Sequence, residues 1–107
     1  MRHEKLPQIL SELRQRFVEL YGDRLVEVVL FGSQARGDAA PGSDIDVMVV
    51  LKGDVHPGEE LERTGDLVAE LSLKYDVLLS TVFRPEEAFF HADTPLLINV
   101  RREGVLV

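Results

Sequence analysis

Cysteine is absent from the 107 residues, and so is any long apolar run. Without cysteine the chain has no disulfide framework, no thiolate zinc site and no thiol nucleophile, which is compatible with a reducing cytoplasm. No stretch approaches the roughly 18 consecutive apolar residues of a membrane span. The N-terminal MRHEKLPQILSEL alternates charged and apolar residues, unlike a signal peptide. We therefore expect a cytoplasmic protein without a membrane anchor.

Positive charge is scarce. Lysine and arginine number 12 against 19 aspartate and glutamate, giving a net charge of -7 and a pI near 4.9. This balance provides no diffuse basic field, so generic binding to nucleic acids or anionic lipids is disfavoured. Hydrophobic residues at 45% and charged residues at 29% are typical of globular proteins. The length suits one domain over residues 1–107, with no room for a second.

Apolar periodicity predicts an alternation of helices and strands. In the second long helix we expect Leu61, Val68 and Leu71 to face the core. The order of elements predicts a mixed α/β or α+β domain. The expected ranges are long helices over 7–21 and 59–74, strands over 26–31, 44–51, 75–83 and 105–107, and short helices over 85–90 and from 95 to about 104.

The segment from 32 to 43 lies between the first two strands. It holds three glycines, a proline and small polar residues, which is loop composition with room for at most a short helix around 34–36. It is long for a purely structural connection, and long loops tend to carry function.

Two acids open the second strand. Period-two geometry places Asp44, Asp46 and Met48 on one face and the intervening apolar residues on the other. An isolated Asp-x-Asp is most simply a pair of strand-end acids facing water. Here the strand continues as an apolar run over 47–51, so two charges lie at the mouth of a buried strand, where uncompensated charge is costly. Carboxylate oxygens are ligands for Mg²⁺, and two such ions clamp the oxygens of a phosphoryl transfer.

The start of the loop offers groups that suit phosphate. Gly32 and Ser33 supply backbone N–H groups and a hydroxyl directly after the first strand. The simpler interpretation is a glycine turn with a serine N-cap. Arg36 would face either phosphate or solvent, and Gly37 most simply ends a short helix in a left-handed conformation.

Taken together, the run GSQARGDAAPGSDIDVMVV resembles the signature of the DNA polymerase β-like nucleotidyltransferase superfamily. Its pattern is a strand, GSxAxG, a variable loop, and SDxDxxV on the next strand. The resemblance to the minimal nucleotidyltransferases, antitoxins often encoded beside HEPN-domain proteins, covers nearly the whole chain, including the ending TPLLINVRREGVLV. The matching positions are Gly32, Ser33, Ala35, Gly37, Ser43, Asp44, Asp46 and Val49.

The resemblance implies a nucleotidyltransferase fold, a mixed β-sheet with helices packed against it. It implies transfer of a nucleoside monophosphate from a nucleoside triphosphate, expected to be ATP, to a hydroxyl, with release of pyrophosphate. Two Mg²⁺ ions would serve as cofactors, with Mn²⁺ able to substitute.

The family also places a third carboxylate on a neighbouring strand, and Asp76 in KYDVLLSTV is the position that matches. Its plain alternative is a turn residue at the start of a strand. The resemblance assigns Asp44, Asp46 and Asp76 to catalysis and metal binding. It assigns Gly32, Ser33, Arg36 and Ser43 to nucleotide binding.

The acceptor has to come from another molecule. The resemblance suggests a HEPN-domain partner with a tyrosine that is adenylylated, or a homo-oligomer. Phe89, Phe90 and the segment 96–100 form either the interface for that partner or part of the domain's own core. Two other functions stay open: an antitoxin that neutralises a HEPN ribonuclease by binding alone, and a nucleotide-sensing module.

Overall fold

The computed structural model describes residues 3–107. Four strands form one mixed sheet in the order β3-β2-β1-β4. β1 is antiparallel to both β2 and β4, whereas β3 is parallel to β2. The elements are α1 (Leu6–Tyr21), a 3-10 turn (Gly22–Arg24), β1 (Leu25–Phe31), α2 (Gly32–Arg36), β2 (Ile45–Leu51), α3 (Pro57–Tyr75), β3 (Leu79–Pro85), α4 (Glu86–His91), α5 (Pro95–Glu103) and β4 (Val105–Leu106).

The sheet separates two apolar clusters. On one face Val47 and Val49 pack with buried residues of α1 and α3. On the other face Met48 packs with Phe89 of α4 and Leu97 of α5. The alternation predicted for β2 is therefore confirmed, and so is the fold class: helices cover both faces of a mixed sheet.

The helix ends follow local chemistry. Pro7 lies in the first turn of α1, and Gly22 follows its last residue with φ 55°. At α5 the Thr94 hydroxyl accepts a hydrogen bond from the backbone N–H of Leu97 at 3.3 Å. Thr94 is therefore the N-cap of α5, with Pro95 as the first helical residue.

The predicted start of the third strand is wrong. Residues 75–83 were expected to be extended, but α3 continues to Tyr75 and β3 begins at Leu79. Asp76 ends the helix in the left-handed conformation, with φ 51° and ψ 50°. Its backbone N–H donates to the carbonyl oxygen of Leu73 at 3.3 Å. The helix thus ends without the glycine that usually marks such a position.

The core-facing side of α3 also differs from the prediction. Leu71 is buried as expected, but Leu61 is 48% exposed and Glu60 is only 2% exposed. The Glu60 carboxylate has three partners, two of which are distant in the sequence. It accepts a hydrogen bond from the Tyr21 hydroxyl at 2.7 Å and forms ion pairs with Arg24 and Arg63. A buried charge is tolerated because its oxygens are satisfied.

The C-terminal helices mainly fill the domain's own core. Phe89, Leu97 and Val100 are buried against the sheet, whereas Phe90 and Ile98 are exposed. No helix within residues 3–107 is both long enough and apolar enough to cross a membrane.

Candidate active site

The acid pair lies at the mouth of the central strand. Asp46 is the second residue of β2, and Asp44 directly precedes the strand. Because β1 runs antiparallel to β2, its last residue Phe31 pairs with Asp46. The chain then turns into α2 at Gly32, so the GSQARG segment begins beside the carboxylates.

Gly32 is in direct contact with the Asp46 carboxylate. Its φ is +75°, a conformation that L side chains rarely adopt. A Cβ added at Gly32 would lie 2.5 Å from Oδ2 of Asp46. Only glycine therefore fits here, for two independent reasons, and its backbone forms one wall of the carboxylate site.

The two acids make a site that favours a cation. Asp44 is exposed and Asp46 is half-buried. Burial, followed by the charge of Asp44, raises the pKa of Asp46 above its ordinary value, and the nearby Arg36 partly opposes this shift. A divalent cation would relieve the repulsion, and the donor set consists of the oxygens that Mg²⁺ selects. Asp44 and Asp46 therefore fit the metal implied by the sequence.

Arg36 is held by two carboxylates. Its Nε donates to Asp38 and its Nη1 to Glu103, each at 3.1 Å. Asp38 lies in the loop after α2, and Glu103 is the last residue of α5, so the guanidinium joins the GSQARG segment to the C-terminal helix. The sequence predicted that Arg36 faces phosphate or solvent and did not predict these two partners. Glu103 could not be identified from the sequence because it lies 67 positions away.

Ser33, Ser43 and Asp76 lie in two places. Ser33 is in α2 next to Gly32. Ser43 and Asp76 instead line a surface pocket of about 510 Å³, together with Gly42 and Val77. Within residues 3–107 no group of three acidic, histidine or cysteine side chains is arranged to hold a metal ion. The structure thus joins Asp44 with Asp46 but does not group Asp76 with them.

Ser80 was missed by the sequence analysis. In the parallel register of β2 and β3 it pairs with Asp46, so both side chains project to the same face of the sheet. No sequence signal identifies Ser80, because it becomes a neighbour of Asp46 only once the strand register is known.

Comparison with known proteins gives a matching family profile and relatives of similar sequence. The family profile described as nucleotidyltransferase domain matches residues 10–106. Two proteins of Methanocaldococcus jannaschii, each named "Putative protein adenylyltransferase", are similar in sequence. MJ1305 is 31% identical over 104 residues, covering 94% of this chain and 69% of its own. MJ0141 is 35% identical over 75 residues, covering 70% and 75% respectively.

Solved structures share the fold at low sequence identity. A "putative nucleotidyltransferase" from Sulfolobus solfataricus has a TM-score of 0.63 at 22% identity, over 92% of this chain and 76% of its own. A structure described as a toxin-antitoxin with AMP-PNP has a TM-score of 0.62 at 21% identity, over 90% and 70%. A mutant of the toxin-antitoxin MntA-HpeT has a TM-score of 0.60 at 21% identity, over 91% and 70%.

The profile match covers nearly the whole chain, and it includes the glycine, serine and aspartates around which the site is built. The relative MJ1305 extends the similarity across 94% of the chain at 31% identity. The chain therefore belongs to the nucleotidyltransferase domain family.

Proposed function

We propose that this protein is a Mg²⁺-dependent adenylyltransferase, which transfers AMP from ATP to a hydroxyl of another protein and releases pyrophosphate. The observation that carries the proposal is the packing of the Asp46 carboxylate against Gly32, with Asp44 beside it at the mouth of β2. Membership of the nucleotidyltransferase family supports it. The relatives named protein adenylyltransferases and the structural neighbour with AMP-PNP favour ATP and a protein acceptor.

The proposed roles follow from these positions. Asp44 and Asp46 would hold the metal, which when bound neutralises phosphate charge and polarises the reacting phosphoryl group. The Gly32 backbone and the Ser33 hydroxyl would donate to the β- and γ-phosphates, and Arg36 would offset their charge. The acceptor oxygen bonds to the α-phosphorus while the bond to the bridging oxygen of the β-phosphate breaks. The acceptor proton leaves to solvent and pyrophosphate departs.

The other two predicted site residues, Ser43 and Asp76, have less direct support. Ser43 directly precedes Asp44 in the sequence and lines the surface pocket, where it would contact the nucleotide. The role of Asp76 as a third acid stays a prediction. We further propose that the acceptor is a tyrosine of a HEPN-domain toxin, because two structural neighbours are described as toxin-antitoxins.

A second candidate is nucleotide binding without transfer. It is favoured by one observation, that the described segment 3–107 places no third acid with Asp44 and Asp46. In that case the protein would sense a nucleotide, or would neutralise its partner by binding alone.

Incubation with α-labelled ATP, Mg²⁺ and a lysate of the native host distinguishes the two candidates. We expect one labelled protein band, and no label with γ-labelled ATP because the γ-phosphate leaves in pyrophosphate. Binding of ATP with Mg²⁺ but no labelled macromolecule would support the second candidate. Label in RNA would contradict a protein acceptor. Failure of the protein to bind ATP would refute both candidate functions.

Gly32→Ala is expected to disrupt the site while the fold persists. The added methyl group would lie only 2.5 Å from Oδ2 of Asp46, and φ +75° strains any L residue by about 1–2 kcal/mol. We expect that loss in the free energy of unfolding, measured with urea. We also expect at least about tenfold weaker binding of ATP with Mg²⁺, measured by isothermal titration.

Gly53→Ala is the matched control. Gly53 also has φ +75°, but a Cβ there has no atom within 4 Å. It should reproduce the loss of stability without the loss of binding. Equal ATP affinities for the two variants would show that contact between Gly32 and Asp46 has no part in the site.

A further inference from the structure

A serine lies on the strand next to the carboxylate pair. In the parallel register of β3 and β2, Ser80 pairs with Asp46 and Leu79 pairs with Ile45. Residues paired across neighbouring strands project to the same face of a sheet, and their backbones lie about 4.8 Å apart. The Ser80 hydroxyl therefore projects beside the Asp46 carboxylate.

The Ser80 hydroxyl is open to a ligand. Ser80 is half-buried, as Asp46 is. Its hydroxyl makes no hydrogen bond within residues 3–107, and no buried side-chain oxygen of that segment lacks a partner, so it contacts solvent. Adjacent oxygen ligands of Mg²⁺ lie about 3 Å apart, given Mg–O distances of about 2.1 Å. A hydroxyl and a carboxylate on neighbouring strands are within reach of one such ion.

Asp76 has a different position and a different role in the fold. It follows the last residue of α3 and ends that helix in the left-handed conformation. It precedes β3, so it has no partner position on β2, and its carboxylate is exposed beside the pocket lined by Ser43. These features explain Asp76 as a helix end.

We propose that Ser80, and not Asp76, is the third side chain lining the cation site of Asp44 and Asp46, an inference that rests on the proposed function. The ion would meet two carboxylates and one neutral hydroxyl. Cation affinity rises with the number of charged ligands. The protein alone therefore holds the ion weakly and takes it up mainly with the triphosphate, which brings its own oxygens.

Single cysteine variants test this placement directly, because the natural sequence contains no cysteine. Ser80→Cys nearly preserves shape and adds a soft thiolate ligand that favours Cd²⁺. We expect Ser80→Cys to bind Cd²⁺ at least about tenfold more tightly than wild type, with an ultraviolet thiolate-to-metal absorption. Adding Asp46→Asn should remove the gain. The matched control, Asp76→Cys, should stay near the wild-type affinity.

A second variant covers failure of the first to fold. Ser80→Asp should raise the affinity for Mn²⁺ without nucleotide at least about tenfold, since it adds a third charge. Leu73→Asp, which adds the same charge at a side chain that is 83% exposed on α3, should change it less than about twofold. A gain in Cd²⁺ affinity in Asp76→Cys but not in Ser80→Cys would overturn the inference. Equal Mn²⁺ affinities of Ser80→Asp and Leu73→Asp would overturn it as well.

The outcome is independent of the transfer reaction. A wild-type protein that labels no acceptor, with a gain in Ser80→Cys, would refute the proposed function and leave the placement of Ser80 standing. A wild-type protein that transfers label, with no gain in Cd²⁺ affinity in Ser80→Cys, would support the proposed function and refute the placement of Ser80.

Discussion

Asp46→Asn is expected to abolish the proposed AMP transfer and at the same time to raise the melting temperature of the metal-free protein. Burial and the charge of Asp44 raise the pKa of Asp46, so ionisation of this carboxyl destabilises the fold. This loss of stability begins as the pH rises past the pKa of the carboxyl in the unfolded chain. It is complete above the pKa of the carboxyl in the folded protein. Removing the charge at pH 7 should stabilise by up to about 1 kcal/mol, the Coulomb energy of two unit charges about 4 Å apart in water.

Three measurements separate this result from an ordinary surface effect. Thermal unfolding without metal should show the higher melting temperature at pH 7, and the difference should vanish in acid, where the wild-type carboxyl is also protonated. Transfer should fall at least about a thousandfold. The extra stability that Mg²⁺ and ATP confer on the native state should shrink. Asp66→Asn, at an exposed position of α3, should change none of these by a measurable amount.

An Asp46→Asn variant that melts lower than wild type without metal and still transfers AMP would contradict the assignment of Asp46. The catalytic role would then have to lie elsewhere. A higher melting temperature with full transfer would support the repulsion between Asp44 and Asp46 but would reject a catalytic role for Asp46.

Glu60→Ala should cause a large loss of stability at a position outside the candidate site. The carboxylate is 2% exposed, accepts hydrogen bonds from Tyr21 and Arg63 and pairs with Arg24. Breaking a buried pair costs about 3–5 kcal/mol. Because Arg24 and Arg63 partly reach solvent, we expect about 2–4 kcal/mol, measured as the free energy of unfolding in urea. Glu62→Ala, on the exposed side of the same helix, should stay within about 0.5 kcal/mol.

The pH dependence of this effect follows from the same contacts. Burial opposes ionisation of Glu60, but the Tyr21 hydrogen bond and the charges of Arg63 and Arg24 outweigh it, so its pKa lies below the ordinary 4.5. A carboxyl whose pKa is lowered by folding stabilises the native state at pH values above its pKa in the unfolded chain. That stabilisation is lost as the pH falls through its pKa in the folded protein. The difference between wild type and Glu60→Gln should therefore narrow below about pH 4.5. A constant difference would show that the charge itself contributes nothing.

The parts of the fold that depend on local pattern could be predicted. The alternation in β2 places Met48 in one cluster and Val47 in the other, because side-chain direction in a strand follows from position alone. The Thr94 cap of α5 is likewise a local signal. The acids and glycines of the candidate site stood out because their order matches a family pattern.

The parts that depend on distant residues could not be predicted. Glu60 can be buried because the hydroxyl of Tyr21, 39 positions away in the sequence, donates a hydrogen bond to its carboxylate. Apolar periodicity cannot reveal a buried charge that is satisfied by such a distant partner. The end of α3 at Asp76 carries no glycine signal, so the helix was predicted to end one residue too early and β3 to begin four residues too early. The pairing of Ser80 with Asp46 needed the strand register, which the sequence leaves open.

The burial of β2 has a consequence for the timescale on which the site can change shape. Every residue of β2 except Asp46 is buried, and the strand is hydrogen-bonded to β1 on one side and β3 on the other. Its backbone amide protons are thus protected from deuterium exchange until the whole domain opens. The Asp46 carboxylate, at the second position of this strand, is thus anchored to a slowly exchanging part of the chain. Under the proposed function, the nucleotide would therefore have to move to a fixed Asp46.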